Sequence, residues 1–129
     1  MSCPVCGSEV TVVPIPERYG DHHPEEPGVG AVCRRCLTVS GTDSEPTGGG
    51  VRGFSDALPA DEAAAIGVCV LCTLCSSIAL NRARIEAVVA VLERDGIDAL
   101  STVERLATDE GIALAFDVDR RRPQLEQIL

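Results

Sequence analysis

Seven cysteines carry most of the chemistry available to this 129-residue chain. Four of them form two C-x-x-C pairs, Cys3-Pro4-Val5-Cys6 and Cys33-Arg34-Arg35-Cys36, with 26 residues between the pairs. Two residues between thiolates let one tight turn place both sulfurs on the same side, with backbone N–H groups aimed at them. Gly7, directly after Cys6, suits the point where such a turn takes positive φ. Two facing turns complete a tetrahedral sulfur cage, with Zn–S about 2.3 Å and no coordination position left open. A structural Zn2+ ion held by Cys3, Cys6, Cys33 and Cys36 is therefore expected.

The other three cysteines lie in Cys69-Val70-Leu71-Cys72-Thr73-Leu74-Cys75. The spacing opens like an iron–sulfur run, but Ala79 and Leu80 stand where the fourth Cys and its Pro belong. On a helix, successive members are about 300° apart, so Cys69 and Cys75 diverge by about 120°. Buried thiols acting as small hydrophobes are the expectation, with a redox or metal-cluster role as the alternative. His22 and His23 sit in an acidic loop beside a cysteine set that already fills a tetrahedron, so both are expected in solvent. Arg34 and Arg35, at the tip of the second turn, are candidate contacts for a partner or a nucleic acid. The triplet Arg120-Arg121-Arg122 is expected to flank a helix. Neither C-x-x-C pair has the βαβ setting of a thioredoxin-type motif. There is no Ser/His/Asp set, phosphate-binding Gly loop or H-E-x-x-H motif, and Asp117 and Asp119 read as turn and cap residues. No enzyme is expected.

The elements that must position these groups change character near residue 58. Residues 1–45 read as the ribbon, with strands expected at Val10–Ile15, Val29–Cys33 and Leu37–Ser40. Between them Pro16–Gly28, with four acids, two His and three Pro, reads as an exposed loop. Residues 46–58 lie in the Gly-rich stretch GTDSEPTGGGVRG and beyond, and read as a linker. Residues 59–129 read as a bundle of about three to five helices. Pro59, Asp61 and Glu62 open the first. Ile85, Val88, Val89 and Leu92 form one apolar stripe that Gly96 ends, with Ile97 behind it. Asp98, or Ser101 with Glu104, caps the next helix, which Gly111 closes. A last helix is expected near Pro123, burying Leu125, Ile128 and Leu129. The fold class is α+β: two to three antiparallel strands, then an α-helical region.

Ala63–Leu80 runs eighteen residues without a charge. Gly67, Thr73, Ser76 and Ser77 interrupt it, so a buried helix is expected rather than a membrane span. Its leftover apolar face is a candidate homodimer seam. Twenty acidic against eleven basic residues, all Arg, give a net charge of −9, which excludes a generic polyanion coat. Three aromatics are too few for a base-stacking platform. Seven is an odd number of cysteines, so intramolecular disulfides cannot use them all. No basic region and no apolar stretch of leader type precedes Cys3, so no secretory leader is read and a reducing cytoplasm is expected.

The opening M-S-C-P-V-C-G, the later C-R-R-C-L-T-V and the Lys-free acidic composition resemble small zinc-ribbon proteins of extremely halophilic archaea. Ser77–Glu86 (S-I-A-L-N-R-A-R-I-E) and Phe116–Gln127 (F-D-V-D-R-R-R-P-Q-L-E-Q) extend the resemblance, to an uncharacterised family, over most of the chain. It implies a rubredoxin-like ribbon with zinc on Cys3, Cys6, Cys33 and Cys36, an intracellular setting and no assigned activity. It gives Cys69, Cys72 and Cys75 no role. The expected function is a non-enzymatic zinc-binding module that engages a protein partner. The alternative is a nucleic-acid or transcription-associated ribbon using Arg34 and Arg35.

Overall fold

A computed structural model describes residues 1–129 as a small antiparallel sheet followed by helices, the α+β layout expected. The strands are β1 (Val10–Pro14), β2 (Val29–Cys33) and β3 (Val39–Gly41), in sheet order β1-β2-β3. Val10 stands opposite Cys33 and Val32 opposite Val39, so both cysteine turns lie at one end of the sheet. A single helical turn, α1 (Glu17–Gly20), lies between β1 and β2. Four longer helices follow the sheet: α2 (Glu62–Cys75), α3 (Ile78–Arg94), α4 (Ala99–Ala107) and α5 (Val118–Ile128).

The uncharged run forms α2, the central helix. Eleven of its fourteen residues are buried, which is the signature of a helix surrounded by its own chain. No helix is long and apolar enough to cross a membrane. Asp61 caps α2 by accepting the Ala64 N–H at 2.9 Å. The one polar side chain in its apolar stretch, Thr73, is satisfied twice. It accepts the Val39 N–H at 2.8 Å and donates to the Cys69 carbonyl at 2.9 Å. The first of these bonds covers the Val39 N–H on the free edge of β3, which would otherwise be left open. Within the run foreseen as a seam for a second copy, α2 is packed by its own chain, while Leu80 at the end of the run is 87% exposed.

One apolar core runs through both halves, joining Val13, Val32, Leu37 and Val39 of the ribbon to Leu71, Leu74, Ile85, Leu92 and Leu106 of the helices. Segment 46–58, read as a linker, is sewn down. Thr47 exchanges hydrogen bonds with Val12 at the outer edge of β1, and Val51 is wholly buried. The Glu62 carboxylate accepts the Val51 and Arg52 N–H groups at 2.8 and 3.1 Å.

Pro16–Gly28 differs from the exposed loop expected. The α1 turn completely buries Tyr19. Tyr19 lays its ring against Gly67 of α2 and donates its hydroxyl hydrogen to Asp95 after α3. The only tyrosine of the chain therefore pins the ribbon to two helices. His23 corrects the second expectation made for this stretch. It is buried, with Nε2 2.8 Å from the Val39 carbonyl and Nδ1 accepting the Glu25 N–H at 3.1 Å. With Nδ1 accepting, Nε2 is the ring nitrogen that donates to the Val39 carbonyl. His22 is half-buried rather than free in solvent.

Helix limits follow caps more closely than prolines. Gly96, at φ +82°, ends α3 as expected, and Ile97 N–H reaches back to the Leu92 carbonyl at 2.9 Å. Asp98 rather than Ser101 caps α4, accepting the Ser101 N–H at 3.0 Å. That helix ends at Ala107, before Gly111. The last helix begins five residues before Pro123, because Asp117 accepts the Arg120 N–H at 3.1 Å and starts the helix there.

Candidate metal centre

The first turn precedes β1 and the second joins β2 to β3, so the sheet brings two distant segments face to face. Both turns have the same build. Gly7 N–H donates to the Cys3 carbonyl at 2.9 Å, and Leu37 N–H to the Cys33 carbonyl at 3.1 Å. Val5 N–H points at Cys3 Sγ and Arg35 N–H at Cys33 Sγ, each at 3.4 Å, and Cys36 N–H adds a second contact to Cys33. The residue after each second cysteine takes left-handed backbone: Gly7 at φ +78° and Leu37 at φ +63°. Glycine adopts this conformation freely. Leucine does so at a cost of about 1–2 kcal/mol, which burial of its side chain offsets.

The four sulfurs of Cys3, Cys6, Cys33 and Cys36 all lie within 4.8 Å of one another. Cys3 and Cys36 are 3.7 Å apart, and Cys6 and Cys33 3.4 Å. A tetrahedron of thiolates about 2.3 Å from a central ion has edges of about 3.8 Å, so the donor set matches a four-cysteine metal site in number, type and spacing. The Cys36 and Arg35 N–H groups aimed at Cys33 work toward its thiolate, against the larger effect of burial.

The electrostatics of the four are unequal. Hydrogen bonds from Ser8 hold the Cys6 thiol down at about 6. Burial pushes Cys33 up, and pushes Cys36 up to about 12 although Thr38 works the other way. A cation that offsets the charge is what would let the buried pair ionise.

The second turn is braced from outside by the α4–α5 connection, whose Ala113 N–H donates to the Arg35 carbonyl at 2.8 Å. Arg34 and Arg35 are both exposed there. Arg34 makes a 3.4 Å ion pair with exposed Glu9, and Arg35 makes none. Of the basic triplet, Arg122 is taken up by Glu104 at 2.8 Å and Asp119 at 3.1 Å.

Cys69, Cys72 and Cys75 are not in the sulfur cluster. All three are buried in the core along α2, and burial raises each thiol above its ordinary value, Cys75 to about 12. His22 and His23 also lie outside the cluster. Reading by residue type missed Tyr19, Thr73 and Glu62, the side chains that dock the ribbon on α2. Their one signal was type: a lone aromatic among charges, and polar residues at the start and in the later part of an apolar run.

Comparison with curated proteins and with solved structures returns no match. A family description does match, over residues 2–129, and by it the chain belongs to a family of unknown function, DUF6276.

Proposed function

We propose that the protein is a non-enzymatic zinc-binding module, in which a structural Zn2+ ion on Cys3, Cys6, Cys33 and Cys36 holds a rigid ribbon for a protein partner. The observation that carries this reading is the convergence of four sulfurs within 4.8 Å from turns 26 residues apart. Four thiolates close the coordination sphere, which suits a structural ion and leaves no position for substrate. Zinc is favoured among metals because a tetrahedron of four thiolates meets its ligand and geometric preferences without redox chemistry. A reducing cytoplasm is the setting in which these thiolates stay available. On the resemblance to halophilic ribbon proteins, the net charge of −9 serves solubility at high salt.

Metal analysis of the purified chain tests the centre. The expected result is about one zinc per chain, with Cys3→Ser losing both metal and stability. Less than about half an equivalent, with Cys3→Ser as stable as the parent, refutes it. The module reading predicts that a bound partner is retained by the zinc-loaded chain and lost on chelation.

A second reading, nucleic-acid contact through Arg34 and Arg35, is favoured by their exposure and by the unpaired state of Arg35. The Glu9 carboxylate beside Arg34 and the net negative charge weigh against it. Absence of binding to DNA or RNA at low salt ends this reading, and binding reduced by Arg35→Ala supports it.

A further inference from the structure

The two cysteine turns share one backbone design, yet their sulfurs differ sharply in access. Cys3, Cys33 and Cys36 are 4%, 0% and 2% exposed, whereas Cys6 is the one exposed cysteine among all seven. The cause is local. In the second turn, Cys36 is followed by Leu37, which is wholly buried, and Thr38 Oγ1 lies 3.1 Å from the sulfur. In the first, Cys6 is followed by Gly7, around which nothing stands within 4 Å of a constructed Cβ, and Pro4 and Val5 are themselves in solvent. The same cage therefore has three shielded corners and one open one.

Across from the open corner stands a sulfur suited to resolve a modified Cys6. Cys33 Sγ is 3.4 Å from Cys6 Sγ and has no exposure of its own. Arg35 and Cys36 N–H groups hold it in place at the end of β2. An oxidant entering from solvent meets Cys6 first, and Cys33 stands 3.4 Å from it. The three cysteines outside the cage, Cys69, Cys72 and Cys75, are buried along α2 and away from it.

We propose that Cys6 is a peroxide-modified site whose oxidation closes a Cys6–Cys33 disulfide and opens the metal cage. The proposal rests on the zinc reading above. In the first step the Cys6 thiolate attacks a peroxide oxygen. The O–O bond breaks, the sulfur becomes a sulfenic acid, and the peroxide is reduced, its second oxygen leaving as hydroxide and then water. In the second, the Cys33 thiolate attacks Cys6 Sγ. The S–S bond forms, the S–O bond breaks, and hydroxide departs to take up a proton. The two sulfurs close from 3.4 Å to about 2.05 Å, a movement within the reach of two turns. Two of the four donors are then consumed, Cys3 and Cys36 alone do not complete a tetrahedron, and the ion is released. A dithiol restores the two thiols by exchange, being oxidised itself to a disulfide.

The test begins with the zinc content of the reduced wild-type chain. The loaded protein is then treated with limiting hydrogen peroxide beside a zinc-responsive dye, and disulfides are mapped by peptide mass spectrometry without reduction. The expected result is release of one zinc per disulfide, with Cys6–Cys33 the first bond formed. Cys6→Ser removes a ligand and can unload the protein, so a second measurement uses the wild type alone. Limiting iodoacetamide should label Cys6 at least about tenfold faster than Cys3 or Cys36. A first disulfide between Cys3 and Cys36, or equal labelling of the four, overturns this proposal and leaves the zinc reading intact. A reduced chain that carries no zinc overturns both.

Discussion

Replacing Gly67 by alanine tests the contact that fixes the ribbon on the helices. Gly67 lies inside α2, where alanine ordinarily stabilises a helix by about 1 kcal/mol relative to glycine. Here a Cβ would lie 2.8 Å from Tyr19 Cδ1 and closer still to the next two ring carbons. The ring has nowhere to go: its hydroxyl is bonded to Asp95 and the Arg18 guanidinium lies 5.1 Å from its centroid. Forcing one methyl into such a contact costs about 1–3 kcal/mol, and a ring held at both ends belongs at the upper limit. Gly67→Ala should therefore destabilise the protein by about 2 kcal/mol. Tyr19→Ala alone should cost about 3–5 kcal/mol, the range for an aromatic lost from a core. In that background the void admits the methyl, and Gly67→Ala should turn stabilising by about 1 kcal/mol. The change of sign amounts to a coupling of about 3 kcal/mol between positions far apart in sequence. Equilibrium urea denaturation of the four proteins, at one fixed zinc concentration and under reductant, measures it. If Gly67→Ala stabilises the parent, or if the two changes add within about 0.5 kcal/mol, Tyr19 does not seat on α2 as described.

Leu37→Gly relieves left-handed backbone worth about 1 kcal/mol but empties a core position worth about 3 kcal/mol, for a net loss of about 2 kcal/mol by denaturation. Zinc stoichiometry should not change, because the turn it belongs to prefers glycine. Acid should weaken the Tyr19–Asp95 tie. The Tyr19 hydroxyl, aided by Arg18 and opposed by burial, holds the Asp95 carboxyl below its ordinary 3.8. A carboxyl depressed in the folded state adds stability above its unfolded value and loses it as pH falls through the folded one. Stability measured from pH 5 downward should thus fall less steeply in Tyr19→Phe than in the parent, and identical slopes would exclude the tie. Chelation at neutral pH should leave the far-ultraviolet helical signal largely intact, because the core of α2, α3 and α4 does not include the four sulfurs. Complete loss of helix on chelation would show that the metal organises the whole chain.

The cysteine turns were legible because their chemistry is written in type and spacing. Four thiols in two C-x-x-C pairs have few uses, and the register that unites them needs only β1, which follows the first turn, beside β2, which leads into the second. The Ile85–Leu92 stripe and Gly96 were legible for a similar reason, since periodicity and a left-handed stop are local signals. Tyr19 and His23 were not. Both lie among acids and prolines, and α1 is only one turn long, too short to show a period. What buries them is chain distant in sequence: Gly67 and Asp95 for the tyrosine, Val39 for the histidine. Leu37 hid for the opposite reason. A left-handed position advertises itself when it holds glycine, as at Gly7, and not when burial outweighs the strain. Pro123 misled because proline marks a helix start only if no stronger cap precedes it, and Asp117 does. The cysteines of α2 illustrate a limit of type itself, since a thiol suits a core as well as a cage and only packing decides.

The cysteine turns lie at one end of the ribbon, and the helical core holds it at the other. A ribbon so thin in large apolar residues looks dependent on its ion, and an isolated unit of that composition would be. In this chain the sheet is also anchored away from the sulfurs. Val39 N–H bonds Thr73, Tyr19 seats on Gly67, and Glu62 clamps the strap that follows β3. These anchors all converge on α2, which explains why a helix buried on nearly every side still carries a threonine and a glycine among its apolar residues. On the zinc reading, loss of an ion from a cage whose Cys6 corner stands in solvent would loosen two turns without dissolving the core that presents them.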